Sequence, residues 1–215
     1  MLFKTAVEPA TLELLISLQN RDYLRGFNLV GGTALAFYMG HRKSIYIDLF
    51  SNFTFDASQL IELIQQDYPL QLLNTASSTI KGSIENVNVD IIAHRYPYLN
   101  EPSLIDGIRI LSVPDLIAMK LKAISVSGQR AKDFIDIYFI LKENMFKISD
   151  MLKFYQIKYN QHGDMHILKS LIYFEDVDLS GWPVLLKKPL LKWPDVKKEL
   201  EKEVLRYIRE INISP

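Results

Sequence analysis

The sequence predicts an α/β protein of the α+β kind, a mixed sheet with flanking helices followed by a helical C-terminal half. Three observations carry that expectation. Short β-branched and aromatic runs recur as far as Leu111, and from Pro114 onward amphipathic helical patterns follow one another with no clear strand between them. No repeat, low-complexity stretch or Pro/Gly/Ser linker separates the halves. The expected division is an α/β core over residues 1–112 and a helical region over residues 113–215, packed on the core as one unit.

Pro9 suits the first turn of a helix, where its missing N–H does no harm, and Leu12, Leu15, Ile16 and Leu18 follow at helical spacing. The run Phe27-Asn28-Leu29-Val30 reads as a strand that meets a tight turn at Gly31-Gly32. Thr33 to Met39 reads as a buried helix closed by Gly40, a C-cap residue free to take a left-handed conformation. Ser44 to Phe50 suits a central strand, and Asp56 is a candidate N-cap for a helix carrying Leu60, Ile61 and Ile64. Strands are expected at Thr79–Ile84 and Val87–Ile92, joined as a hairpin through Glu85-Asn86, and at Ile108–Leu111. Helices are expected over 114–126, 130–143, 149–160, 163–173 and 194–210.

Bulk properties bound the function. With 25 Lys plus Arg against 25 Asp plus Glu the chain has no global field to attract nucleic acid, which argues against a simple RNA-binding protein. Cysteine is absent, so disulfides and thiolate metal sites are excluded. The N-terminal residues lack a signal-peptide core, and no uncharged apolar run approaches the ~20 residues that span a bilayer. The expectation is a cytoplasmic protein without a membrane partner.

Gly31-Gly32-Thr33 lies between a strand and a helix, where glycine lets backbone N–H groups approach a phosphate beside the positive end of the helix; such a turn also serves simply to reverse the chain. Asp48 interrupts an apolar strand, and Asp90 recurs in a similar setting at Val87-Asn88-Val89-Asp90-Ile91-Ile92. A carboxylate in such a place wants a cation or a hydrogen-bond network. Two strands each offering an aspartate could hold Mg²⁺ against nucleotide phosphates, or each aspartate could cap a neighbouring turn. His41-Arg42-Lys43 is a basic cluster that either steers phosphates or forms an exposed loop. Tyr96 and Tyr98 flank Pro97 and either stack on a base or pack against the core, the second being favoured. His94, His162 and His166 lack metal-ligand spacing with carboxylates, so no zinc site is expected.

Several blocks, taken in order, resemble one family. They are Leu29 to Ala36 with Gly31-Gly32-Thr33, His41-Arg42-Lys43-Ser44, Ile47-Asp48-Leu49-Phe50-Ser51, Val89-Asp90-Ile91-Ile92, Asp115 through Lys120, Lys132 to Tyr138, and His166 to Phe174. From about residue 25 to about residue 200 the chain resembles the AbiEii/AbiGii-type nucleotidyltransferase toxins. The resemblance implies a nucleotidyltransferase-like sheet and transfer of a nucleotide from an NTP to a tRNA, another RNA or a protein, by the toxin half of a bacterial toxin–antitoxin or abortive-infection system. A cognate antitoxin would be its protein partner. Gly31, Gly32 and Thr33 would take the phosphates; Asp48 and Asp90 would take Mg²⁺, with Asp90 also near the acceptor hydroxyl; Lys120, Asp133 and Asp136 would belong to the catalytic site.

The chain departs from the family pattern where Tyr46 stands at the first carboxylate of the D-x-D strand, giving Tyr46-Ile47-Asp48. A phenol is uncharged near neutral pH, so the departure weakens the expected metal site. It opens an alternative, a catalytically degenerate nucleotidyltransferase fold acting as a nucleotide-binding or regulatory module. Ser127 holds the place of a family arginine, with Arg130 three residues on. Read without the resemblance, Asp133 and Asp136 share a helical face that would be solvated, and Lys120 would either reach a triphosphate or extend into water.

Overall fold

A computed structural model describes residues 1–213; Ser214 and Pro215, the end of the expected C-terminal region, lie outside the described residues. The chain forms two compact units, the first running from Met1 to Ser112 and the second beginning at Val113.

The first unit is built on a seven-stranded mixed sheet. Its strands are β1 (Asn28–Leu29), β2 (Tyr46–Ser51), β3 (Gln71–Ala76), β4 (Thr79–Ile84), β5 (Val87–Ala93), β6 (Ser103–Ile105) and β7 (Ile108–Ile110), in the order β3-β4-β5-β2-β1-β7-β6. β2 runs parallel to β5 and β1 parallel to β7, while the remaining neighbours are antiparallel. Three helices flank it: α1 (Pro9–Gln19), α2 (Gly31–Met39) and α3 (Ala57–Asp67).

The alternation of strand side chains decides where the core lies. Ile47 and Leu49 of β2, Val89 and Ile91 of β5, and Ile80 and Ile84 of β4 are all buried. Burying each such side chain contributes roughly 1.5–3 kcal/mol relative to leaving it in water. The intervening positions, Tyr46 and Asp48, Asn88 and Asp90, and Lys81 and Ser83, fall on the opposite, more open face.

Local chemistry fixes the ends of the elements. Gly40 closes α2 at φ +60°, as a glycine C-cap should. Asp56 accepts the backbone N–H of Gln59 at 3.0 Å and so caps α3, whose buried stripe is Leu60 and Ile64. Glu85 and Asn86 take φ +51° and +65°, the primed turn that suits a tight hairpin, and β4 pairs with β5 on either side of them.

Two strands were not expected from the sequence. β3 is exposed at all six positions, so it shows no apolar alternation. β6 pairs with β7 through a turn at Asp106-Gly107 in which both residues have positive φ. The expected strand at 27–30 is reduced to Asn28 and Leu29.

The second unit is helical: α4 (Val113–Val126), α5 (Ala131–Lys142), α6 (Ile148–Tyr159), α7 (Asp164–Leu171) and α8 (Trp193–Ile213). α4 packs on α6 and α7, and α5 on α8. Leu116, Ile117, Leu121 and Ile124 of α4 are buried, as are Met151 and Leu152 of α6 and Ile167 and Leu168 of α7. Phe134, Phe174 and Trp193 meet edge to face with ring centroids 5.5–5.8 Å apart, and α8 buries Val196, Leu200 and Val204 along one stripe. Among the described residues no helix is long and apolar enough to cross a membrane.

Candidate active site

The parallel pairing of β2 with β5 sets Asp48 opposite Asp90, residue for residue. Register partners point to the same face of a sheet, so the carboxylates neighbour one another on its more open side. Tyr46 is the partner of Asn88 one pleat away, and it is exposed. The antiparallel pairing of β4 adds Lys81 beside Asp90, with Nζ 3.4 Å from Oδ2.

The glycine turn lies against this strand pair. The N–H of Val30 donates to the carbonyl of Asp48 at 2.9 Å, which brings the start of α2 over β2. Gly31 has φ +70°, and a Cβ there would collide with the Asp48 carboxylate. A Cβ on Gly32 would collide with the guanidinium of Arg42. Each glycine therefore admits a charged group close to the backbone: an acid at Gly31 and a base at Gly32.

Three expectations for this unit are refined or overturned. Thr33 is fully buried; its hydroxyl meets the Tyr46 carbonyl at 2.5 Å and Ser44 Oγ at 2.8 Å. It ties α2 to the lead-in of β2 through these two contacts inside the fold. His41-Arg42-Lys43 is not an exposed loop, because His41 and Arg42 are buried. The cause is the chain's return beside the N-terminal segment, where the N–H of Ser44 donates to the Ala6 carbonyl at 2.9 Å and Ser44 bridges to Val7. Tyr98 accepts a hydrogen bond from Asn28 Nδ2 at 3.1 Å, and Tyr96 packs on the ring of His94.

In the helical unit, Lys120 Nζ lies 2.6 Å from Asp133 Oδ1 and 2.8 Å from Asp136 Oδ2, and all three side chains are buried. The solvated reading of this charged face is thus corrected, and Lys120 does not extend into water. The i,i+3 spacing that puts both aspartates on one face of α5 turns that face towards α4, where one ammonium answers two carboxylates. Arg130 adds a second cation, its Nη2 2.9 Å from Asp133 Oδ2, on a side chain that is otherwise open. Lys158 and Asp115 form another buried pair at 2.7 Å. Sequence spacing gave no signal for it, since the partners lie on α6 and α4.

The donor set decides what cation could sit on the sheet. Among the described residues no group of three or more His, Asp or Glu gathers as an all-protein metal cage would require. Mg²⁺, however, is commonly held by one or two carboxylates with substrate phosphates completing its shell. Asp48 and Asp90, with phosphates arriving at the adjoining glycine turn, fit that second kind of site.

Known proteins resemble this chain in sequence and in fold. The protein named Uncharacterized protein aq_aa25, of Aquifex aeolicus (strain VF5), is 28% identical over 186 residues, spanning 85% of this chain and 88% of that protein. Two solved Helicobacter pylori structures share the fold. JHP933 aligns with TM-score 0.54 and 18% identity over 99% of this chain and 95% of its own. A candidate nucleotidyltransferase aligns with TM-score 0.56 and 16% identity over 95% of this chain and 97% of its own. Residues 67–210, well over half the chain, match the family described as nucleotidyl transferase AbiEii toxin of type IV toxin–antitoxin systems, and the chain belongs to that family.

Proposed function

We propose that this chain transfers a nucleotide from an NTP to a hydroxyl of an RNA or protein acceptor, as the toxin component of a bacterial toxin–antitoxin pair acting in the cytoplasm. The observation that carries the reading is the register of Asp48 against Asp90 on adjacent parallel strands, with the Gly31-Gly32 turn seated on Asp48.

In this reading the backbone N–H groups at Gly31 and Gly32, at the positive end of α2, take the phosphates. Asp48 and Asp90 hold Mg²⁺, which supplies charge neutralisation and alignment when bound. The acceptor oxygen forms a bond to the α-phosphorus, the bond from that phosphorus to the pyrophosphate oxygen breaks, pyrophosphate leaves with the electron pair, and Asp90 receives the hydroxyl proton. Positioning and electrostatics do most of the work in phosphoryl chemistry of this kind. Lys120, Asp133 and Asp136 serve here as a buried ionic cluster that fixes the N-terminal turn of α5 and with it Arg130.

A second reading, a nucleotide-binding or regulatory module that no longer transfers, is favoured by Tyr46 at the place of a carboxylate. Calorimetric titration with each NTP, with and without Mg²⁺, followed by incubation of α-labelled NTP with total bacterial RNA and protein, separates the two. Mg²⁺-dependent binding that Asp48→Ala abolishes, together with label on an acceptor, supports transfer. Binding with no labelled acceptor supports the module, and no binding of any NTP defeats both.

A further inference from the structure

We propose that Lys81 is a resident cation of this site, so that the site takes one divalent ion and one ammonium group where a three-carboxylate site would take two divalent ions. The inference rests on the nucleotidyl-transfer reading above and adds a residue to it.

The sheet register lays out the charges. Asp48, Asp90 and Lys81 occupy one row across β2, β5 and β4, and Tyr46, Asn88 and Ser83 occupy the parallel row one pleat away. All formal charge lies in the first row; the second offers only a phenol, an amide and a hydroxyl. Divalent ions such as Mg²⁺ prefer charged oxygen ligands, so the second row is a poor place for another ion. Two-metal sites set their ions about 3.5–4 Å apart and need carboxylates to bridge them. Here a phenol, that of Tyr46, stands beside Asp48 on β2 where a second carboxylate would be needed, and an ammonium stands on the far side of Asp90.

Lys81 is also free to work. Its Nζ is 3.4 Å from Asp90 Oδ2, and the side chains retain 45% and 29% of their exposure. So loose and open an ion pair contributes little to stability, and the flexible lysine stem can turn its ammonium towards an arriving phosphate. As a point charge beside Asp90 it meets the charge that builds on the transferring phosphoryl oxygens while Asp90 receives the acceptor's proton.

The test counts ions rather than turnover. Mn²⁺ bound per chain is measured by electron paramagnetic resonance in the presence of a non-hydrolysable α,β-methylene NTP. One ion is expected for the wild-type chain, and two for a chain carrying both Lys81→Met and Tyr46→Asp. In EDTA, the same analogue should bind about ten-fold or more weakly to Lys81→Met than to wild type, the loss of one charge-assisted contact. Two Mn²⁺ ions in the wild-type chain, or equal affinity of wild type and Lys81→Met in EDTA, overturns the assignment of Lys81 while leaving nucleotide binding intact. Failure of the wild-type chain to bind the analogue at all defeats the nucleotide reading itself, and the proposal with it.

Discussion

Lys158 Nζ lies 2.7 Å from Asp115 Oδ1, and neither side chain has any exposure to solvent. The pair joins α6 to α4 inside the helical unit. Burying two charges is costly, so such a pair adds less net stability than its short distance suggests, but removing one member leaves the other without this counter-charge in a low-dielectric interior. Lys158→Met should therefore destabilise the helical unit by about 3–5 kcal/mol, and adding Asp115→Leu should recover much of the loss. Urea unfolding followed by the fluorescence of Trp182 and Trp193, both of which lie in this unit, measures it. A single variant as stable as wild type would mean that the pair is not buried in solution.

Gly31→Ala combines backbone and side-chain penalties. At φ +70° an L-residue costs roughly 1–2 kcal/mol, and the added methyl would displace the Asp48 carboxylate as well. The expected outcome is a modest fall in stability with complete loss of Mg²⁺-dependent NTP binding. Gly107→Ala is the control, because Gly107 also has positive φ but its Cβ would meet nothing within 4 Å. It should lose less stability, the backbone penalty alone, and bind nucleotide normally. NTP binding that survives Gly31→Ala would separate the glycine turn from the nucleotide site.

How far the sequence could be read depends on where the signal is local. The β4–β5 hairpin was legible because Glu85-Asn86 interrupts two alternating runs. Counting outward from that turn would also have set Lys81 opposite Asp90, a step that needs only the pairing Ile84–Val87. The Asp106-Gly107 dipeptide between short runs was a comparable hairpin signal for β6. β3 was illegible for a physical reason, since an edge strand exposed on both faces has no burial pattern to imprint on its residues. Asp48 and Asp90 were legible as a pair that could share a cation, but not their residue-for-residue register, because parallel register is set by long-range packing. The burial of Lys120, Asp133 and Asp136 was hidden for the converse reason: charged residues at helical spacing read as solvated until another helix supplies the counter-charge.

Lys120 offers a way to divide structural from ligand-binding roles. With its ammonium between Asp133 and Asp136, Lys120→Met should leave two like charges facing one another in a buried place, costing about 3–5 kcal/mol. Adding Asp136→Asn should restore much of that stability. If the cluster is scaffold, the double variant binds NTP as the wild type does. If Lys120 instead contacts the triphosphate, the double variant is stable but its NTP affinity falls, which titration at matched ionic strength would reveal.

Glu199 on α8 receives hydrogen bonds from Lys202 at 2.9 Å and from Lys142 of α5 at 3.0 Å. Burial alone would push its carboxyl up, but the two lysines outweigh burial and hold it below the ordinary value of 4.5. A carboxyl whose folded value is depressed binds fewer protons when folded than when unfolded over the interval between the two values. Its stabilisation is therefore complete above about 4.5 and is lost as pH falls through the folded value. Urea unfolding of the helical unit, repeated at intervals from about pH 6 to about pH 3, should show stability declining with acid. The decline should be shallower in Glu199→Gln, which carries no titrating group at this position. Lys142→Met should also make the decline shallower, because with one lysine gone the folded value moves back towards 4.5 and the interval between the folded and unfolded values narrows. An identical acid profile for wild type and Glu199→Gln would show that the α5–α8 contact does not depend on this carboxylate.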